Sequence, residues 1–222
     1  MSTVRKNVYE LAQERLRTVF SEFDNVYISF SGGKDSGVLL NLCIDYMRRH
    51  NITRKLGVFH MDYEVQYDET TRYIERVFNA NRDILEIYRV CIPFKVPTCT
   101  SMYQSYWRPW EESKRDMWVR NMPAGSYTLK DFPFYSDKMW DYEFQQMFAQ
   151  WYHRLKHAAR TCCLVGIRTQ ESYNRWRTIY GGKRMCICIL KNDHACKYMG
   201  FALTKKELDD KRRIMDYYKL FK

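Results

Sequence analysis

The residues best suited to chemistry stand together near the amino terminus, in Ser31-Gly32-Gly33-Lys34-Asp35-Ser36-Gly37. Adjacent glycines let a backbone turn sharply and approach a ligand closely. Lys34 adds a mobile positive charge, and the Ser31 and Ser36 hydroxyls can donate to oxygen anions. Asp35 can help hold a divalent cation or cap a helix. Such a set cradles phosphate when it joins a strand to a helix. The amides of the first helical turn lack internal acceptors there, and the helix dipole attracts negative charge. The flanks fit: Val26-Tyr27-Ile28-Ser29-Phe30 reads as a buried parallel strand, and Val38 to Met47 has helical periodicity. The order differs from the Walker A loop, which places four residues between its first glycine and Gly-Lys-Ser/Thr. A ligand-free glycine turn is the plainer alternative, and the strand-to-helix context weighs against it.

Two further polar clusters fall just after apolar runs. Asp62-Tyr63-Glu64-Val65-Gln66-Tyr67-Asp68-Glu69-Thr70 follows the strand pattern Leu56–Met61. Gly166-Ile167-Arg168-Thr169-Gln170-Glu171-Ser172, with Arg175, follows the run that starts at Cys162. A basic strand end leading into a polar helix start lies where parallel sheets bind ligands. His153 and His157 share an i, i+4 spacing that can bind metal, but without an H-E-x-x-H glutamate they read as surface residues of a basic helix face.

The elements that must position these clusters alternate. The spacing predicts a helix over 4–23, strands at 26–30, 56–61 and 85–90, a helix over 68–80, a helix over 141–159 and a strand at 162–167. Strands alternating with helices imply βαβ units, a parallel sheet and right-handed crossovers. Between about 91 and 140 the pattern breaks. All five prolines fall there among many tryptophans, tyrosines and phenylalanines. The segment is too aromatic for disorder and reads as an ordered insertion with a small core of its own, stacking on bases being the alternative. A weaker strand at 184–190 and a helix from Thr204 to about Tyr218 close the chain.

The 222 residues suffice for a sizeable core, and no apolar run approaches a membrane span of about 20 residues. With no signal-like segment at Met1–Lys6, the expected location is cytoplasmic. Residues 1–110 hold 15 Lys/Arg against 13 Asp/Glu and residues 111–222 hold 22 against 13, so most of the net +11 sits in the second half. A basic half suits nucleotide phosphates, a nucleic acid or another polyanionic partner, a solvated surface being the bland reading. The eight cysteines are expected to be reduced. Cys186, Cys188, His194 and Cys196 do not follow a standard zinc spacing and read as strand cysteines, with metal ligation as the alternative. No side chains are assigned to a protein metal site.

Ser31 to Ser36 resembles the PP-loop of the ATP pyrophosphatase superfamily. The three polar clusters, spanning 26–177, together resemble the phosphoadenosine phosphosulfate (PAPS) reductase-like group that includes the immunoglobulin-binding regulator A proteins. The insert Trp107-Arg108-Pro109-Trp110-Glu111-Glu112-Ser113-Lys114 resembles theirs too. The resemblance implies an α/β adenine nucleotide α-hydrolase-like three-layer sandwich with a mainly parallel sheet. One such domain would cover 1–222, with an aromatic and proline-rich insertion at about 91–140 and a basic C-terminal segment at about 184–222. It implies ATP, PAPS or adenosine phosphosulfate (APS) as the nucleotide, with Mg²⁺. Ser31, Gly32, Gly33, Lys34, Asp35 and Ser36 would hold phosphates, Asp62 and Gly166 would lie beside the nucleotide, and Arg168 and Arg175 would neutralise phosphate or sulfate. Lys34, Asp35 and Arg168 would be catalytic.

The activity this implies is cleavage of ATP between the α and β phosphates to adenylate an acceptor. Two alternatives stand beside it: a non-catalytic nucleotide-binding regulator or subunit acting with a nucleic-acid or protein partner, and a sulfonucleotide reductase. The reductases carry a C-terminal Glu-Cys-Gly-Leu-His segment that this chain lacks, and no Cys-x-x-Cys follows Cys162-Cys163.

Overall fold

The computed structural model describes residues 7–98, 100 and 102–166. Asn7 caps helix α1 (Val8–Glu22) reciprocally: its side chain accepts from the Glu10 amide, and Glu10 accepts from the Asn7 amide. Then follow β1 (Asn25–Ser29), α2 (Lys34–Arg49), β2 (Leu56–Met61), α3 (Asp68–Ala80) and β3 (Leu85–Val90). A segment of short elements comes next: β4 (Val96–Pro97), β5 (Tyr106–Trp107) and two 3₁₀ turns at Glu112–Met117 and Leu129–Asp131. Helix α4 (Asp141–Leu155) and β6 (Thr161–Val165) complete the described chain. No described helix is long and apolar enough to cross a membrane.

The main sheet runs β3-β2-β1-β6 with every pair parallel. The chain walks outward from β1 to β2 to β3, then returns through the insertion and α4 to the other side of β1. There β6 pairs in full register, from Asn25 opposite Thr161 to Ser29 opposite Val165. The winding therefore reverses between β1 and β6, and in open parallel sheets such a reversal opens a crevice at the strands' carboxyl ends.

Alternation along each strand builds two cores. Val26, Ile28, Leu56, Val58, Leu85, Cys162 and Leu164 face α1, α2 and α3. Tyr27, Phe59, Met61, Tyr88 and Val90 face α4 and the insertion. The result is a sheet between two helical layers, the three-layer α/β architecture expected from the sequence.

The second core is mostly aromatic. Phe59 stacks on Phe148 with centroids 4.0 Å apart, and Phe132 meets Phe144 edge to face at 5.0 Å. The insertion therefore differs from the expectation of a separate core. Its Phe94 and Phe132 are fully buried with α4 against the sheet, because β2 and β3 present aromatic side chains that α4 alone does not cover. Its Tyr127 also joins the end of β3, donating to Arg89 at 2.7 Å and accepting from Cys91 at 2.9 Å.

Helix α4 is shorter than its pattern, and the histidine pair separates. His153 is buried, with Nδ1 2.8 Å from Thr161 Oγ1, whereas His157 lies beyond the helix at φ +47°. The expectation of two surface histidines on one helix is corrected: His153 serves the α4–β6 packing.

Gly57 marks the tightest approach in the second core. A Cβ there would meet Tyr152 Oη at 2.3 Å and Tyr27 Cβ at 2.7 Å. We expect Gly57→Ala to cost about 1–3 kcal/mol in urea denaturation, whereas an unchanged midpoint would show that α4 can lift without penalty.

Candidate functional site

The site is built where β1 leaves the sheet. Phe30 N–H still donates to the Phe59 carbonyl at 2.8 Å, and the Phe30 carbonyl lies 2.8 Å from His60 Nδ1. The next residues leave the sheet and turn. Gly32 adopts φ +78°, and a Cβ there would sit 2.7 Å from Ile74 Cδ1 and 2.9 Å from Thr70 Cγ2. Both the backbone conformation and the cover by α3 therefore require glycine.

The two serines brace the turn from inside. Ser31 and Ser36 hydroxyls are 3.0 Å apart, Ser36 Oγ donates to the Gly33 carbonyl at 3.0 Å, and the Gly33 amide donates to Ser31 Oγ at 3.3 Å. Ser36 is buried and Ser31 exposed, so one holds the loop's shape and the other meets solvent. Gly33 is the N-cap of α2 and offers no side-chain acceptor. The first intrahelical bond runs from Gly37 N–H to the Gly33 carbonyl at 2.9 Å, leaving the preceding amides of the first turn with no acceptor inside the helix. Asp35 sits within this first turn instead of capping it, where its charge suits the dipole. Lys34 is exposed at the mouth, and an open groove of about 380 Å³ runs from it along α2 past Val38, Asn41 and Asp45, against Tyr73 of α3.

Gly166, at the end of β6, closes the other side. A Cβ on it would lie 2.7 Å from the Asp35 carbonyl oxygen and 2.9 Å from the Ser36 nitrogen. The structure thus brings Ser31, Gly32, Gly33, Lys34, Asp35, Ser36 and Gly166 into one place. Arg168 and Arg175, like Cys186, Cys188, His194 and Cys196, lie outside the described residues.

Asp62 stands at the carboxyl end of β2, the strand beside the loop, and is buried. Its Oδ1 accepts from the Glu64 amide at 2.9 Å and pairs with Arg120 of the insertion. Glu64, buried at φ +66°, accepts from the Trp110 amide at 2.7 Å and the Val119 amide at 3.2 Å. Arg120 Nε donates to the Glu64 carbonyl at 3.0 Å, and its guanidinium lies 5.0 Å over the Trp110 ring. Trp110 Nε1 donates to the Asp62 carbonyl at 2.7 Å. Two buried carboxylates therefore bolt the insertion to the end of β2. Neither Glu64 nor Arg120 was a site candidate in the sequence; a lone arginine in an aromatic segment carries no spacing signal.

His60 was missed as well. It is buried on β2, and because a carbonyl only accepts, the ring must be protonated on Nδ1. Nε2 has no protein partner among the described residues. Burial lowers the ring's pKa below the usual 6.5, with Arg89 and Arg120 acting in the same direction and the Phe30 carbonyl and Asp62 opposing. Cys43, Cys91 and Cys163 are poor nucleophiles. Desolvation pushes the Cys163 thiol up to about 11 and the Cys91 thiol up to about 12, and Cys43 shifts the same way. Among the described residues no group of three or more His, Cys, Asp or Glu side chains could hold a metal ion.

Two outcomes follow from this geometry. Arg120→Met strands the Asp62 carboxylate, 3% exposed, and should cost roughly 3 kcal/mol in chemical denaturation. Adding Asp62→Asn should restore part of that loss; no restoration would mean that the pair is not the bolt. Because the folded His60 resists protonation, the unfolded chain takes up the extra proton as pH falls through 6.5. His60 thus contributes stability above pH 6.5 that is lost on acidification, and His60→Asn should flatten that part of the stability–pH profile.

A family model described as a domain of unknown function, DUF3440, matches residues 138–210. The chain is 35% identical over 175 residues to an uncharacterized protein, YbdN, of Escherichia coli (strain K12). That match covers 78% of this chain and 41% of the relative, so the chain spans less than half the relative's length. Among solved structures, the FMN adenylyltransferase of Candida glabrata, in complex with FMN and the ATP analogue AMPCPP, is 13% identical with a TM-score of 0.39, covering 78% of this chain and 48% of that one. The U34-tRNA thiolase NcsA of Methanococcus maripaludis, with its [4Fe-4S] cluster, is 13% identical with a TM-score of 0.43, covering 95% and 65%. The PAPS reductase of Candida auris, in a phosphate complex, is 15% identical with a TM-score of 0.38, covering 100% and 92%. At these scores none of the three carries an inference about chemistry.

Proposed function

We infer that the chain binds the polyphosphate of an adenine nucleotide at Ser31–Ser36 and cleaves ATP between its α and β phosphates. One observation carries this reading. A glycine turn braced by Ser31 and Ser36 leaves the first-turn amides of α2 without helical acceptors at the carboxyl ends of β1 and β6, and Gly166 lets the end of β6 pack against that turn.

In the reaction an acceptor oxygen attacks the α-phosphorus. A new P–O bond forms, the bond to the α–β bridging oxygen breaks with its electron pair going to pyrophosphate, and the acceptor's proton passes to solvent. Charge grows on the leaving pyrophosphate, and the first-turn amides with Lys34 stabilise it from fixed positions. By the resemblance, Arg168 and Arg175, outside the described residues, would add positive charge to the same phosphates. Mg²⁺ suits a site with one carboxylate, Asp35, because it takes most of its ligands from phosphate and water. When bound, it supplies charge neutralisation of the phosphates. Asp62, held by Arg120 and the Glu64 amide, is a fixed wall beside the nucleotide.

Pyrophosphate release and calorimetry with ATP, AMP, APS and PAPS test the reading. Ser31→Ala with Lys34→Ala should lower turnover by about 100-fold or more. Undiminished release in that double variant would reject the site.

The charge bias of residues 111–222 favours a second reading, nucleotide binding without turnover beside a nucleic acid. It expects ATP affinity without pyrophosphate release, and DNA or RNA affinity that falls steeply with salt. Sulfonucleotide reduction needs a thiolate, which Cys43, Cys91 and Cys163 resist forming. If the chain reduces a sulfonucleotide instead, replacing Cys186, Cys188 and Cys196 by serine should abolish sulfite release.

A further inference from the structure

The phosphate loop depends on where β1 leaves the sheet. The β1–β2 ladder ends at Ser29 opposite Phe59, with one further bond from Phe30 N–H to the Phe59 carbonyl. The Phe30 carbonyl, the last acceptor before Ser31, is met by the His60 side chain at 2.8 Å. We propose that His60 is a positioning residue for the loop: its Nδ1–H holds the Phe30 carbonyl and so fixes the point at which the chain turns into Ser31–Ser36. The proposal rests on the reading of that loop as the nucleotide site.

Three observations carry it. The ring is 1% exposed and sits among apolar neighbours, with the Phe30 and Phe78 rings each 6.1 Å away. An apolar side chain would fill that space without burying Nε2 away from any described protein partner. What the imidazole adds is the single donor at Nδ1. Second, Phe78 belongs to α3, the helix whose Thr70 and Ile74 cover Gly32. The same helix thus packs against the ring and covers the turn. Third, burial above all, with Arg89 of β3 (itself paired with Glu75 of α3 at 2.5 Å) and Arg120 of the insertion, disfavours the charged ring, while the Phe30 carbonyl and Asp62 favour it. Neutral or charged, the ring keeps the Nδ1–H that the Phe30 carbonyl accepts.

The test uses the full chain. Calorimetry should find Mg·ATP affinity about fivefold to tenfold weaker in His60→Phe, the loss of one hydrogen bond. His60→Asn, whose amide brings an N–H to the Nδ1 position, should recover most of it. A purely packing role would lower the melting temperature of both variants and leave their ATP affinity equal to wild type, overturning the proposal. Ring ¹⁵N spectra of the wild-type protein need no nucleotide and no variant. They should show a protonated Nδ1 and a bare Nε2 at pH 6.5 and above. A ring that carries its proton on Nε2 instead sinks the idea even where His60→Phe does not fold. Wild-type protein that binds no nucleotide would bring down the reading of the site itself, whereas wild-type binding matched by His60→Phe removes only the role of His60.

Discussion

Everything near the candidate site depends on a contact between two stretches of main chain. Gly166 ends β6 against the Asp35–Ser36 backbone, so close that a single Cβ would collide with it. That approach requires β6 to lie beside β1 along its whole length, which in turn requires the chain to cross back over the sheet through α4. The crossing needs a floor for α4, and the aromatic faces of β2 and β3 provide it. A long insertion, a phenylalanine-rich core and a glycine at a strand end are thus one arrangement. Each sets the distance between the α2 terminus and Gly166.

The regular part of this arrangement was legible in the residues. Leu56–Met61, Asp68–Ala80 and Leu85–Val90 fall where their apolar spacing puts them, because each is a regular element with one or two buried faces and short connections. The loop was legible for a different reason: two glycines, a lysine and two serines at a strand-to-helix junction have few other uses. The parallel order followed from alternation and the handedness of crossovers.

What escaped is tertiary. The roles of Glu64 and Arg120 depend on where a segment of short turns lies against β2, and no local spacing encodes that position. His60 looks like one more residue of a buried strand until the neighbouring Phe30 carbonyl is seen to accept from it. His153 and His157 kept their sequence spacing but not their common helix, since α4 stops at Leu155. The insertion's aromatics were recognised as core material and assigned to the wrong core, because composition does not say which surface a ring will cover.

The two residues that join the insertion to β2 carry a thermodynamic consequence. Glu64 and Trp110 both occupy the left-handed region, a conformation that costs a non-glycine residue on the order of 1–3 kcal/mol. The hydrogen bond from the Trp110 amide to the Glu64 carboxylate offsets that cost before any ligand arrives. The entropy lost in ordering the segment is thus settled during folding. A ligand at the proposed site would meet, on its Asp62 side, a surface already ordered and give up little of its binding energy to organise it.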